Sequence, residues 1–288
     1  MARRNNPERM GAPAPDAPTI PETVEEVQAD PLSFIVPTEF VALPSRGVFY
    51  PEGHLLHNEE AVEIKYMTAK EEDLLTSKSL IEKGLVLDRL IQNLLVNKRI
   101  QSRDLLVCDR NAILIAARGS GYGMSYTTQI ACRSCSEQDT YEYNLEEALV
   151  ETPLDNDELS ELGVHQTPAG TFVAQIPDSP VEVEFSLLTG HDEKAIMDLT
   201  ERRRKKKLPE SLVTDQLSFM LVSVMGEDDT QLLQRYINTL PLRDSRFLRK
   251  VYDAVCPSIE LRKEFVCNHC GYEDDVSFPF TVDFFWPQ

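Results

Sequence analysis

The chain has 288 residues, 42% of them hydrophobic, which is enough apolar sequence for one large domain or two smaller ones. It carries 29 Lys and Arg against 48 Asp and Glu, a net charge of -19 at pH 7, so its surface as a whole repels the phosphates of nucleic acids and of anionic membranes. Because the sequence has neither the apolar core of a secretory signal nor a run long enough to span a bilayer, we expect a soluble cytoplasmic protein.

Residues 1–37 form a proline-rich N-terminal segment with seven of the chain's 18 prolines. Few large apolar side chains accompany them, so this segment cannot bury enough surface to offset the conformational entropy that folding would cost. We predict a disordered arm over residues 1–37. Its apolar stretch "LSFIV", residues 32–36, leaves two interpretations open: a solvated extension, or a tether that folds onto a partner.

Residues 38–150 show the patterns of an α+β domain. The stretch "VEIKYM" alternates apolar and charged residues, which predicts a half-buried strand. Thr68 and Glu71 then stand three residues apart, the spacing of a capping box that starts a helix. Residues 85–98 and 103–118 have apolar side chains at helical spacing. We expect Gly119 to end the second of these helices as a C-cap.

Two Cys-x-x-Cys motifs occur in matched surroundings. Cys132 and Cys135 lie between two β-like segments, and so do Cys267 and Cys270, which predicts two hairpins with one cysteine pair at each tip. Residues 151–258 should form a hairpin and a mainly helical insertion, and residues 259–288 the second knuckle and a C-terminal strand. The predicted insertion consists of a hairpin built from "TFVAQI" and "VEVEFSLL" and of helices over residues 191–206, 210–225 and 229–255, the last one broken at Pro241.

The cysteine spacing is that of zinc ligands. Two thiolates separated by two residues span one edge of a tetrahedral zinc site, so each pair supplies half of the four ligands. In a reducing compartment a disulfide framework is not expected. We therefore predict one structural Zn²⁺ on Cys132, Cys135, Cys267 and Cys270, in a zinc ribbon split by more than a hundred residues. The alternative is two unrelated pairs of reduced cysteines.

Other signs of chemistry are weak. His54 and His57 lack the spacing of a metalloprotease motif, and Asp192 is explained by the first turn of a helix that Thr189 caps. An enzyme would instead be indicated by a deep pocket that gathers His54, His57 or His191 with carboxylates. We expect no catalytic residues and no small-molecule substrate.

A single strongly basic run stands out in this acidic chain. As the end of a helix it complements the negative pole of the helix dipole and is then simply solvated. The other hypothesis is that it binds an acidic surface of a neighbouring subunit. The run consists of Arg202, Arg203, Arg204, Lys205, Lys206 and Lys207.

Four separate stretches of the chain carry a shared resemblance. They are "LPSRGVFYPEG", "VEIKYMTAKEEDLLTS", "DLLVCDRNAILIAARGSGYG" continuing into "CRSC", and "CNHCGYEDDVSFPF" with the terminal "FFWP". Together they resemble the baseplate hub assembly proteins of T4-like contractile-tailed phages, over about residues 38–288. The helix with Asp109, Arg110 and Asn111 is among the most specific parts. Two interpretations are open for Asp109 and Arg110: they pair with other charges inside the fold, or with charges across an interface. Charges inside a helix are normally satisfied in place, so we favour pairing inside the fold.

The resemblance implies a non-enzymatic role in building a phage baseplate, as a minor component or as a chaperone absent from the finished tail. Its partners would be other baseplate and tail proteins, and its location the virion tail baseplate, or the host cytoplasm during assembly. The rival hypothesis is a zinc-ribbon regulator of transcription or replication that binds nucleic acid. Such a ribbon would need a basic, aromatic face, whereas this one carries Glu273, Asp274 and Asp275.

Overall fold

Short antiparallel β-units alternate with helices along the chain, so the fold is α+β, as predicted. The computed structural model describes residues 36–150, 154–177, 179–277 and 282–285, all within one compact unit, Val36–Gln288. The proline-rich arm and its "LSFIV" stretch lie outside the described residues, apart from Val36 and Pro37. The domain boundaries expected near residues 37, 150 and 258 remain predictions.

The N-terminal part consists of a two-stranded sheet covered by helices. Strand β2 (Ala61–Lys65) pairs antiparallel with β1 (Thr38–Ala42), and its inward residues Val62 and Ile64 are buried. The capping box predicted at Thr68 and Glu71 is confirmed: the Thr68 amide donates to the Glu71 carboxylate at 3.0 Å. The elements are β1 (Thr38–Ala42), β2 (Ala61–Lys65), α1 (Ala69–Leu75), α2 (Lys78–Glu82), α3 (Val86–Leu94) and α4 (Val107–Tyr122).

Helix α4 does not end at Gly119, so the predicted C-cap was wrong. The helix continues to Tyr122, and Gly123, with φ +87°, is the C-cap and donates its N–H to the carbonyl of Gly119 at 3.0 Å. A Cβ atom at Gly119 would collide with the side chain of Met124, and one at Gly121 with that of Met67. These two glycines therefore permit close packing inside the helix rather than terminating it.

Two hairpins follow the predicted pattern. In the sequence, one precedes the insertion and the other follows it. The first pairs β3 (Ser125–Ala131) with β4 (Gln138–Asn144), and the second pairs β11 (Arg262–Val266) with β12 (Glu273–Ser277). A short antiparallel pair, β5 (Leu149–Val150) with β10 (Ile259–Glu260), joins the chain after the first hairpin to the chain before the second. This pairing brings the two hairpins together.

The insertion contains a four-stranded antiparallel sheet, surrounded by helices, whose strands follow the order β6 (Val164–Gln166), β7 (Phe172–Gln175), β8 (Glu182–Phe185) and β9 (Leu221–Val224). The predicted hairpin is confirmed as β7 and β8, and the break at Pro241 separates α8 (Thr230–Thr239) from α9 (Leu242–Val255). The elements are α5 (Asn156–Glu161), β6 (Val164–Gln166), β7 (Phe172–Gln175), β8 (Glu182–Phe185), α6 (Gly190–Lys205), α7 (Leu212–Met220), β9 (Leu221–Val224), α8 (Thr230–Thr239) and α9 (Leu242–Val255).

The helix predicted over residues 210–225 was wrong in its last five residues. Helix α7 ends at Met220, and the next four residues form β9, which pairs with β8. Leu221 and Val224 are buried in this strand. Their burial against the sheet outweighs the helical periodicity of the local sequence, because β-structure is stabilised largely by such tertiary packing.

One continuous core joins the N-terminal part to the insertion. The rings of Phe49 and Phe172 are 5.3 Å apart, and those of Phe172 and Phe185 are 5.5 Å apart. Phe172 and Phe185 are fully buried. Since large buried rings contribute more apolar contact than other side chains, these contacts hold the insertion firmly on the N-terminal part.

A buried arginine fixes the end of α4 near the first hairpin. The Arg118 guanidinium lies 5.4–5.7 Å from the ring centroids of Tyr122, Tyr126 and Phe284, and its Nη2 donates to the carbonyl of Ser125 at 3.3 Å. Within the described part of the chain, its Nε and Nη1 have no hydrogen-bond partner. The negative faces of the rings therefore stabilise this cation in place of a carboxylate.

Candidate metal centre

The four cysteines of the two motifs lie together although more than a hundred residues separate the pairs. Their sulfur atoms all lie within 4.8 Å of one another. The Sγ atoms of Cys132 and Cys270 are 3.7 Å apart, and those of Cys135 and Cys267 are 3.6 Å apart. A tetrahedral zinc ion with Zn–S bonds of about 2.3 Å needs sulfur atoms about 3.8 Å apart. The cluster therefore has the size of a four-thiolate metal site.

The two knuckles have the same backbone geometry. The amide two residues after the first cysteine donates to its sulfur in both: Ser134 to Cys132 at 3.3 Å and His269 to Cys267 at 3.4 Å. The residue four positions after that cysteine has a left-handed backbone, with φ +61° at Ser136 and +71° at Gly271. The hairpins thus present their sulfurs in matching positions, and the N–H groups help to orient them.

The local environment shifts the acidity of two thiols in opposite directions. Burial disfavours the Cys132 thiolate, but the N–H groups of Cys135 and Ser134 outweigh it and lower the pKa of Cys132 to about 7. At Cys135 the Glu137 N–H favours the thiolate, yet burial and the neighbouring sulfurs raise its pKa to about 12. The neighbouring sulfurs add to the effect of burial at Cys135, because two thiolates so close together disfavour each other.

Direct contacts also hold the two hairpins together. Tyr141 on β4 donates its hydroxyl to the carbonyl of Val266 at 2.5 Å, and its ring lies 5.0 Å from that of Phe265. Asp139 accepts the N–H of Asn268 at 3.2 Å and lies 3.5 Å from Nε2 of His269. The imidazole of His269 is thus directed to a carboxylate, and it is not one of the four clustered ligand groups.

Comparison with known protein families identifies the chain. The family described as "T4 bacteriophage base plate protein" matches residues 50–286, which include both cysteine pairs and all of α4. The chain belongs to this family. Neither the curated proteins nor the solved structures give a match.

Membership in the baseplate family supports a structural role in the phage tail. In the described part of this baseplate protein, no helix combines the length and the apolar character that crossing a membrane requires.

Arg110 of α4 pairs with charged residues inside the baseplate protein, as expected. Arg110 is almost fully buried, and its guanidinium donates to Asp88 at 2.7 Å and to the carbonyl of Ser102 at 2.6 Å. Asp88 also accepts from Arg103 at 3.0 Å. A Cβ atom at Gly190 would lie 2.5 Å from Arg110 Nη1, so this glycine leaves the space that the guanidinium occupies.

Asp109 is satisfied by uncharged donors rather than by a cation. Its carboxylate accepts hydrogen bonds from the Ser45 N–H at 3.1 Å, the Ser45 hydroxyl at 2.7 Å and the Tyr50 hydroxyl at 2.7 Å. Burial raises the pKa of Asp109, and these donors oppose that shift. Asp109 therefore fastens the loop before β2 to α4. No local sequence pattern indicates that Ser45 and Tyr50 are its partners.

A cleft of about 320 Å³ does gather histidines and carboxylates, namely His54, His191, Asp104 and Asp192. Each of these four side chains has a contact within the local structure. His54 accepts the N–H of Leu56 and stacks on a tyrosine ring, and burial lowers its pKa. Asp192 accepts from the N-cap Thr189, and His191 lies 3.3 Å from Asp104. The contacts made by these groups therefore resemble capping and packing more than a catalytic arrangement.

The basic run forms the end of α6 and the turn after it, as predicted. Arg203 forms an ion pair with the buried Asp215, and Lys205 pairs with Glu201 at 2.9 Å. Two of the six cations thus have ionic partners within the chain. The other four have no ionic partner among the described residues.

Proposed function

We propose that the chain is a non-enzymatic structural or assembly protein of the hub of a contractile-tail baseplate, and that it acts by binding other baseplate and tail proteins. The observation that carries this proposal is the family match over residues 50–286. The proposed location is the tail baseplate of the virion, or the host cytoplasm during assembly. A chaperone-like role is included in the proposal.

The second part of the proposal is that one Zn²⁺ binds Cys132, Cys135, Cys267 and Cys270. Four thiolates leave no open coordination position, so such an ion has a structural role and not a catalytic one. It would close the long loop between the hairpins and thereby hold the ends of the insertion, residues 151–258, at one place. We propose that the insertion is the part presented to partners.

Nucleic acid is not the proposed ligand. A nucleic-acid-binding ribbon needs cations that neutralise phosphates. The outer strand β12 instead exposes Glu273 and Asp275, and the whole chain has a net charge of -19.

Quantitative mass spectrometry tests the proposal. It compares the amount of the protein in purified virions with the amount in the infected-cell lysate, both normalised to a sheath protein. We expect either a fixed copy number per virion, which indicates a built-in component, or abundance in baseplate intermediates with none in virions, which indicates a chaperone. Absence from both virions and baseplate intermediates would contradict the proposed function.

A further inference from the structure

Helix α6, which ends in the basic run, also forms one wall of an open cleft. The cleft has a volume of about 610 Å³ and lies between α6, the turn that follows α2, and the start of α7. Met197 projects from α6 near Gly84, and a Cβ atom at Gly84 would lie 3.7 Å from its Cε. Lys194 donates to the carbonyl of Lys83 at 2.9 Å and thereby links α6 to the turn that follows α2.

Large apolar side chains line this cleft and remain accessible. Met197 is 53% exposed, Leu212 55% and Ile81 41%. Apolar side chains that are exposed together in a concave surface, next to polar groups, are typical of protein–protein interaction sites.

The charge around the cleft points to the kind of partner. Arg204 lines the cleft, and Arg202, Lys206 and Lys207 are exposed nearby in the same run. The acids of α6 that line the cleft are already paired, Asp198 with Lys194 and Glu201 with Lys205. Glu82, Glu210 and Lys83 also line it, so the excess of positive charge comes from the basic run at the end of α6 and not from the rest of the lining. In a chain of net charge -19, such a local excess attracts carboxylates.

We infer that this cleft binds a segment of another baseplate protein that carries large apolar side chains next to Asp or Glu residues. The apolar side chains would cover Met197, Leu212 and Ile81, and the carboxylates would pair with Arg202, Arg204, Lys206 and Lys207. Arg203 and Lys205 keep their internal partners. This inference rests on the proposed function, because it names the partner chemistry of a protein that acts by binding.

Site-specific photo-cross-linking in infected cells tests the cleft. The photo-reactive amino acid p-benzoylphenylalanine is placed at Met197 in the full chain, and as a control at Leu242, which is 74% exposed and does not line the cleft. We expect the Met197 probe to cross-link to a peptide of another tail protein that contains both acidic and large apolar residues. A cross-link to a second copy of this chain or to a neutral or basic peptide would overturn the inference, as would a yield no higher than at Leu242.

A charge variant with a matched control tests the basic side of the cleft. Arg202→Ser, Arg204→Ser, Lys206→Ser and Lys207→Ser together should lower the cross-linking yield at Met197 about tenfold at moderate salt, because long-range attraction raises association rates by about that factor or more. The control removes the same charge from exposed cations elsewhere, by Arg99→Ser, Arg235→Ser, Arg246→Ser and Lys250→Ser, and should leave the yield unchanged. Equal yields from the two variants would overturn the role of the basic run.

Failure of this inference is distinguishable from failure of the proposed function. If the protein is present in virions or in baseplate intermediates but Met197 gives no specific cross-link, the cleft alone is refuted. If the protein is absent from both, the baseplate function itself is refuted.

Discussion

Replacing both Cys267 and Cys270 by serine is expected to abolish zinc binding and to lower the free energy of unfolding by at least about 3 kcal/mol, because small peptide sites gain roughly 10 kcal/mol or more from structural zinc. The loss should be smaller than in those peptides. Tyr141 still contacts Val266 and Phe265, so the hairpins retain direct contacts without the metal. The measurements are metal content by mass spectrometry and the urea midpoint of the full chain.

The matched control for this variant is Cys256→Ser, which removes a thiol that lies outside the four-sulfur cluster. We expect this control to bind as much zinc as the unchanged chain. If the Cys267→Ser, Cys270→Ser protein kept both its metal and its urea midpoint, the two cysteine pairs would not form a metal site.

Asp88→Ala should have the second large effect, a loss of about 3 kcal/mol or more in the free energy of unfolding, since a buried ion loses its partner. The Arg110 guanidinium would remain buried with the Ser102 carbonyl and, at 3.5 Å, the partly exposed Glu193. Arg103 would lose its carboxylate as well. Chemical denaturation of the purified variant measures this loss.

The control is Asp104→Ala, which makes the same Asp-to-Ala substitution at a neighbouring site. Its carboxylate is about half exposed and faces His191 at 3.3 Å, so its removal should cost less than about 1 kcal/mol. The double variant Asp88→Ala, Arg110→Met should recover part of the lost stability because it leaves no unpaired buried charge at Arg110. Equal losses from Asp88→Ala and Asp104→Ala would contradict the importance of the buried ion pair.

The parts of the fold that sequence predicts well are those determined by local chemistry. Thr68 and Glu71 indicate a helix start because a capping box needs only residues three positions apart. The two cysteine pairs are predicted as hairpin tips for the same reason: each knuckle is a short turn with its own strands. That the pairs meet was predicted from the ligand count of zinc, since each pair offers only half of a site.

The parts that sequence does not predict depend on distant neighbours. Gly119 looks like a helix end, but Met124 packs where its side chain would be. The spacing of Leu221 and Val224 fits a helix, but in the fold both residues pair with β8. Asp88 precedes Arg110 by 22 residues, and no local pattern joins the two. The cleft at Met197 arises from the approach of Gly84, which only the tertiary structure reveals.

The metal content and metal coordination of the purified full chain test the central claim most directly. Elemental analysis combined with X-ray absorption at the zinc edge should give one zinc per chain with four sulfur ligands at about 2.3 Å. A folded chain that contains no zinc, or zinc bound by nitrogen or oxygen in place of some sulfurs, would contradict a ribbon closed by Cys132, Cys135, Cys267 and Cys270.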